Sequence, residues 1–200
     1  MLAFPLLNQL TAMASNSTPD IIYLGRSRLH RNRANLIQTL HTIAAFTDLG
    51  LNARLYLPPW HRNVTLSQRL REMGIQGDPD IRASQLLHRR WPATAFARIH
   101  RRLLRRAGAV YVRSEELSLA LADIGIRHHF EVHTLRPLIK QGQLERLTAY
   151  HRQGVIDRLI PISQSAAEAL VDAGAVKERI HVSPSGAVSY THLTLPTTRL

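Results

Sequence analysis

Two hundred residues with 44% hydrophobic content suffice for one well-buried domain with appendages, and they exclude a chain that is disordered throughout. With no cysteine, disulfide frameworks and thiolate metal sites are excluded, and the eleven histidines show no H-E-x-x-H or comparable ligand spacing. The net charge of +12 draws in nucleic acid, anionic lipid or phosphorylated substrates without choosing among them, and the lack of cysteine fits a reducing cytosol.

The first segment, "MLAFPLLNQLTAMA", has an apolar run but no basic leader, and Pro5 and Asn8 interrupt it. That argues against a signal peptide and for a loose tail over residues 1–18, with Met13 as an alternative start. No other stretch reaches the roughly 18 apolar residues of a membrane span, so a soluble or peripheral protein is expected.

"DIIYL" (Asp20–Leu24) is a short apolar run with the look of a strand. It is followed by a polar loop, Gly25, Arg26, Ser27 and Arg28, and then by Asn32 and Asn35 where a helix should start. Free backbone N–H groups and the helix dipole favour an anion there, although a solvated basic loop explains the same residues. In "ANLIQTLHTIAAFTDLG", Leu36, Ile37, Leu40, Ile43 and Ala44 recur at helical spacing, and Gly50 supplies a left-handed stop. "LNARLYLPP" predicts a second strand closed by Pro58 and Pro59.

Next comes "LLHRRWPATAFARIHRRLLRRAG", the densest source of positive charge. On a single helix starting near Pro92, Phe96, Ile99, Leu103 and Ala107 fall on one face and Arg98, Arg101, Arg102, Arg105 and Arg106 on the other. Three readings fit. The apolar stripe packs on a sheet with the arginines in water; or the helix lies on an anionic membrane surface with Trp91 at the interface; or the arginines track nucleic-acid phosphates. No helix-turn-helix, zinc-finger or RNP signature accompanies the last of these.

The strand–helix grammar returns in "GAVYVRSEELSLALADIGI", with a strand at Ala109–Val112, a helix carrying Leu117, Ala120, Leu121 and Ile124, and Gly125 as its stop. "RHHFEVHT" supplies another strand, and Glu131 and His133, two residues apart in an extended segment, share one face. A carboxylate beside an imidazole orients hydroxyls or moves a proton, and it is equally a structural feature. In "DRLIPISQSAAEALVDAGAVKERIHVSP", Ser165 and Glu168 fit a capping box, Ala167, Leu170 and Val171 face the core, Gly174 ends the helix, and "RIHVSP" reads as a last strand. Roughly six strands alternating with helices predict a Rossmann-like parallel α/β sheet with helices on both faces, its ligands at the carboxyl ends of the strands. No G-x-G-x-x-G dinucleotide fingerprint is present.

Four stretches in this order resemble the N-terminal half of a family 4-type retaining glycosyltransferase of GT-B fold: "SRLHRNRANLIQTLHTIAAFTDLGLNARLYLP", "VYVRSEELSLAL", "FEVHT" and "DRLIPISQSAAEALVDAGAVKERIHVSPSGA". The likeness covers about residues 20–187. It departs from the family at a single Gly25 where many relatives carry a glycine pair, at "PSG" in place of P-N-G, and at Pro161, which removes a ladder donor from what should be a central strand. The resemblance implies transfer of a sugar from a nucleotide-diphosphate donor to an acceptor hydroxyl, on a glycan or a lipid-linked molecule, with retention and without a metal or other cofactor. It places Gly25, Arg26, Ser27 and Arg28 near the donor diphosphate and Asn35 and Gln38 beside the cleft. It puts Glu131 and His133 against the transferred sugar or acceptor and Ser163 at the cleft end of its strand. The family's donor domain, with its E-x7-E element, is absent, so a fragment ending here is expected to be inactive. A cytoplasmic location follows, peripheral on the inner membrane face if the basic helix docks on lipid. The alternative is a non-enzymatic basic module that binds anionic membrane or nucleic acid.

"VSYTHLTLPTTRL" (residues 188–200) breaks with the strand–helix grammar and is similar to the conceptual translation of a transposase-type sequencing adapter. It is expected to be a non-native tail, with the acceptor-side domain running over residues 19–187.

Overall fold

A computed structural model describes residues 18–31 and 33–184. The expected tails at residues 1–18 and 188–200 lie, apart from Thr18, outside the described residues, as does Asn32. Six strands form one sheet in the order β3-β2-β1-β4-β5-β6: β1 Ile21–Leu24, β2 Ala53–Leu57, β3 Asp80–Ala83, β4 Ala109–Val112, β5 His128–Val132 and β6 Ile156–Pro161. The pairs β1–β2, β2–β3 and β5–β6 are parallel, and the order is that of a Rossmann-like sheet, as the sequence predicts. The chain divides into two compact units, Met1–Tyr111 and Val112–Leu200.

In the first unit, β1 passes to α1 (Ala34–Asp48), and Leu36, Leu40 and Ile43 bury against Tyr23, Leu55 and Leu57. Gly50 ends the turn at φ 78°. Ile37, expected in the core, is 37% exposed, because an apolar stripe wider than one contact face leaves its edge in water. All of β2 is buried, Arg54 included. That guanidinium donates to Asp80 at 2.6 Å, and Arg82 donates to the same carboxylate at 2.8 Å. Burial alone would push the Asp80 carboxyl up, but the hydrogen bonds from Arg82 and Arg54 outweigh it and hold it below its ordinary value. This ion pair joins β3 to β2. After β2 come α2 (Leu66–Glu72) and, beyond β3, a 3-10 turn at Gln85–Leu87.

The single basic helix expected from Pro92 onward is instead two, α3 (Thr94–Ile99) and α4 (Arg101–Arg106), broken at His100. At the break the His100 ring packs 4.4 Å from Phe96 and 6.3 Å from Tyr56. Phe96, Ala97 and Leu104 are buried, whereas Ile99, assigned to the buried face, is 67% exposed beside Arg98, Arg101 and Arg102.

In the second unit, α5 (Glu115–Asp123) buries Leu117, Ala120 and Leu121, with Gly125 at φ 67° after it. Two helices follow β5, α6 (Arg136–Lys140) and α7 (Leu144–Arg152), and β6 leads to α8 (Gln164–Asp172). The cap of α8 is Ser163, whose hydroxyl accepts from the Ala166 amide at 3.2 Å; Ser165 lies inside the helix, so the expected capping box starts two residues too late. The strand expected at "RIHVSP" reduces to one parallel bridge, Leu159 to Ile180. From there the His181 and Ser183 amides donate to the Leu159 and Pro161 carbonyls at 2.9 Å each. Pro161, expected in a central strand, instead ends β6, the outermost strand of the order, where a missing amide costs least.

Candidate functional site

In an open parallel sheet the loops after the strands present polar groups to a ligand. In the first unit that loop begins at Gly25, whose amide donates to the Tyr56 carbonyl at 3.0 Å. A Cβ there would lie 2.8 Å from Cδ2 of the buried Leu57, so a glycine lets the loop cross the end of β2 closely. Arg26, expected near a diphosphate, donates to three main-chain carbonyls, those of Leu87 and His88 at 3.4 Å and of Trp91 at 3.3 Å. It thereby ties the loop after β1 to the segment that follows the 3-10 turn. Ser27 and Arg28 are half-buried on the same loop.

Arg28 Nη2 meets His88 Nε2, while His88 Nδ1 faces the Arg90 amide at 3.2 Å. Desolvation and the charges of Arg28, Arg90 and Arg26 lower the His88 pKa, so the ring is neutral and offers one lone pair to two donors. Donors outnumber acceptors at this place. The start of α1 adds to the excess: its N-cap is Arg33, with no side-chain cap and no acidic residue in the first turn. Asn35 is exposed and Gln38 half-buried along that turn, their carbonyls accepting from Thr39 Oγ1 at 2.8 Å and Thr42 Oγ1 at 2.9 Å. No Asp or Glu occurs from residue 81 to residue 114. The charges acting on His88 are those of Arg28, Arg90 and Arg26, a setting that suits an anion.

A polar cavity of about 190 Å³ lies in the same unit, lined by His30, Asn63, Val64, Gln68, Arg69 and Glu72. Sequence reading missed it, because residues 58–108 carry no recognisable signature.

In the second unit, Glu131 lies within β5 rather than after it, and His133 follows the strand by one residue. The alternation of an extended chain brings them together as expected: His133 Nε2 is 2.8 Å from Glu131 Oε1. A third member was not foreseen. Arg113, the first residue after β4, donates through Nη2 to His133 Nδ1 at 2.9 Å and stands 3.8 Å from Glu131 Oε1. The available signal was positional, a charged residue at the carboxyl end of a parallel strand. Ser163 sits after β6 as the helix cap described above. Arg98, Arg101, Arg102, Arg105 and Arg106 are all exposed on α3 and α4. Among the described residues no group of three His, Asp or Glu side chains is placed to hold a metal ion.

No family model and no curated protein matches the sequence. Among solved structures, the chain is similar to the Anabaena protein Alr3699/HepE in three crystal structures. With UDP and glucose bound, the TM-score is 0.57 at 15% identity, over 84% of this chain and 45% of that one. With UDP-glucose the values are 0.55, 15%, 83% and 43%, and with UDP 0.54, 16%, 84% and 44%. The chain spans under half the length of that protein. At such identity the likeness is one of fold, and the fold it establishes is the Rossmann-like α/β sheet.

Proposed function

We propose that the chain is the acceptor-side half of a GT-B glycosyltransferase, which in its full length moves a sugar from a nucleotide-diphosphate donor to an acceptor hydroxyl with retention. The observation that carries this reading is the donor excess around Arg28, His88 and Arg90 beside an acid-free helix start, a setting that suits a diphosphate. Its support from comparison is that a protein of the same fold holds UDP and UDP-glucose. The Glu131–His133 pair then faces the transferred sugar or the acceptor, and the nucleotide is held largely by a second domain outside this chain. On this reading the chain alone is inactive, and no metal or other cofactor takes part.

The test is an assay of the full-length protein with UDP-glucose and other nucleotide sugars, following nucleotide release and the anomeric configuration of the product. Retained configuration is expected, and His133→Ala should lower turnover about 100-fold, the usual scale for a lost proton-handling group. Near-normal turnover of that variant rejects the role of His133, and no turnover with any nucleotide sugar rejects the function.

A second reading concerns where the protein works. Trp91 is 44% exposed and Ile99 67% exposed within the acid-free, arginine-rich segment. An apolar side chain set among cations suits the surface of an anionic leaflet, which would keep the enzyme cytoplasmic and peripheral. Among the described residues no helix is long and apolar enough to cross a membrane. Flotation with phosphatidylglycerol vesicles is expected to carry the protein upward. Reversing Arg101, Arg102 and Arg105 to glutamate should abolish that, and unchanged flotation, or retention on DNA in its place, would overturn the reading.

A further inference from the structure

We infer that Arg113, together with Glu131, holds the His133 imidazole in its Nε2–H tautomer, leaving Nδ1 as the ring atom that accepts a hydrogen bond from a ligand hydroxyl. A guanidinium only donates, and a carboxylate only accepts. A ring seated with Nδ1 at 2.9 Å from Arg113 Nη2 and Nε2 at 2.8 Å from Glu131 Oε1 therefore has one consistent form, with its lone pair toward the arginine and its proton toward the glutamate. The other tautomer would set N–H against N–H and lone pair against carboxylate, breaking both contacts at once.

The arrangement is enclosed. The Arg113 and Glu131 side chains are only 11% and 12% exposed, so water competes little for either contact, and the pair stand 3.8 Å apart, which anchors the arginine from a second side. His133 is the open member, at 25% exposed. Its Nδ1 accepts from Arg113, so a hydroxyl arriving at that atom replaces the arginine, which keeps its carboxylate partner. Glu131 and the Nε2 proton stay as they are. Arg113 is thus a positioning residue, acting on the ligand through the ring. The tautomer rests on geometry alone, and the identity of the hydroxyl, on sugar or acceptor, rests on the glycosyl-transfer reading.

The test separates the two. Long-range nitrogen–proton NMR correlations of the chain with labelled histidine, at about pH 8.5 where imidazoles are ordinarily neutral, identify which nitrogen of His133 carries the proton. The wild type is expected to be Nε2–H. Arg113→Gln, whose amide still donates, should keep that tautomer; Arg113→Met, which leaves the Glu131 carboxylate on Nε2–H, should keep it too, and Arg113→Met combined with Glu131→Leu should lose it to a mixture. An Nδ1–H wild type, or an unaltered Nε2–H form in the double variant, overturns the inference; the wild-type spectrum decides even if the double variant does not fold. In the full-length enzyme, Arg113→Met should lower kcat tenfold or more, with Arg113→Gln restoring most of it. Equal kcat in all three overturns the positioning role. If the tautomer holds and no nucleotide sugar is turned over, the functional reading fails and the tautomer assignment stands.

Discussion

Arginines meet imidazoles in both units, and two of these meetings, Arg113 with His133 and Arg28 with His88, differ in the presence of a carboxylate. At Arg113, His133 and Glu131 both ring nitrogens are matched, one to a guanidinium donor and the other to a carboxylate acceptor. At Arg28, His88 and Arg90 two donors face a neutral ring with a single lone pair, and no acidic residue lies anywhere from residue 81 to 114. A matched cluster fixes geometry, while an unmatched one fixes a preference for whatever brings the missing acceptor. The difference teaches that charge alone does not mark a ligand seat; the balance of donors against acceptors does.

The largest effect that would sharpen this contrast is an acid response. His128 is another matched imidazole of the second unit: Nδ1–H donates to the Ile126 carbonyl at 2.9 Å, and Nε2 accepts from Ser118 Oγ at 2.8 Å. Burial pushes its pKa down to about 4. In the unfolded chain an imidazole takes its proton near pH 6.5, so between about pH 6.5 and 4 the unfolded state binds a proton that the native state refuses. Stability is therefore full above that window and falls through it as pH falls, by an amount on the order of 3 kcal/mol. Urea titrations from pH 7.5 down to about 4.5 should show that slope in the wild type and a shallower one in His128→Gln, other imidazoles contributing the remainder. Parallel slopes would mean that the buried ring does not resist protonation.

A smaller change aims at the unmatched cluster. Arg28→Glu gives His88 the carboxylate it lacks and should weaken binding of pyrophosphate or UDP to the chain about tenfold, some 1.4 kcal/mol, by isothermal calorimetry. The His133 tautomer should be unaffected. Equal affinity of wild type and variant, or no heat from the wild type, would break the comparison, because the donor excess would then have no anion to seat.

Much of the frame was legible because its signals are local. β1, β2, β4, β5 and β6 follow apolar runs, and the turns at Gly50, Gly125 and Gly174 take the positive φ that the sequence pattern asks for. β3 was not legible. "DIRA" buries only Ile81, and it is a strand through its parallel pairing with β2, to which the Arg54–Asp80 ion pair also joins it, long-range contacts without a sequence period. The basic segment misled as well, since its helical spacing continues through His100, where the structure divides it into α3 and α4. At the candidate site, Glu131 and His133 were legible from strand alternation, whereas Arg113 is eighteen residues before Glu131 by number and reaches the pair only through the fold. His88 and the polar cavity lie in the stretch without motif, where only the structure identifies neighbours.

The strap at residues 180–183 bears on how the protein behaves in concentrated solution. An outermost strand with free carbonyls and amides is a template for pairing with another copy of itself. Here the Leu159 and Pro161 carbonyls are already taken by the His181 and Ser183 amides, and Pro161 contributes no amide to the ladder. The outer rim of β6 is closed from within the chain, which guards against edge-to-edge self-association and the aggregation that follows from it.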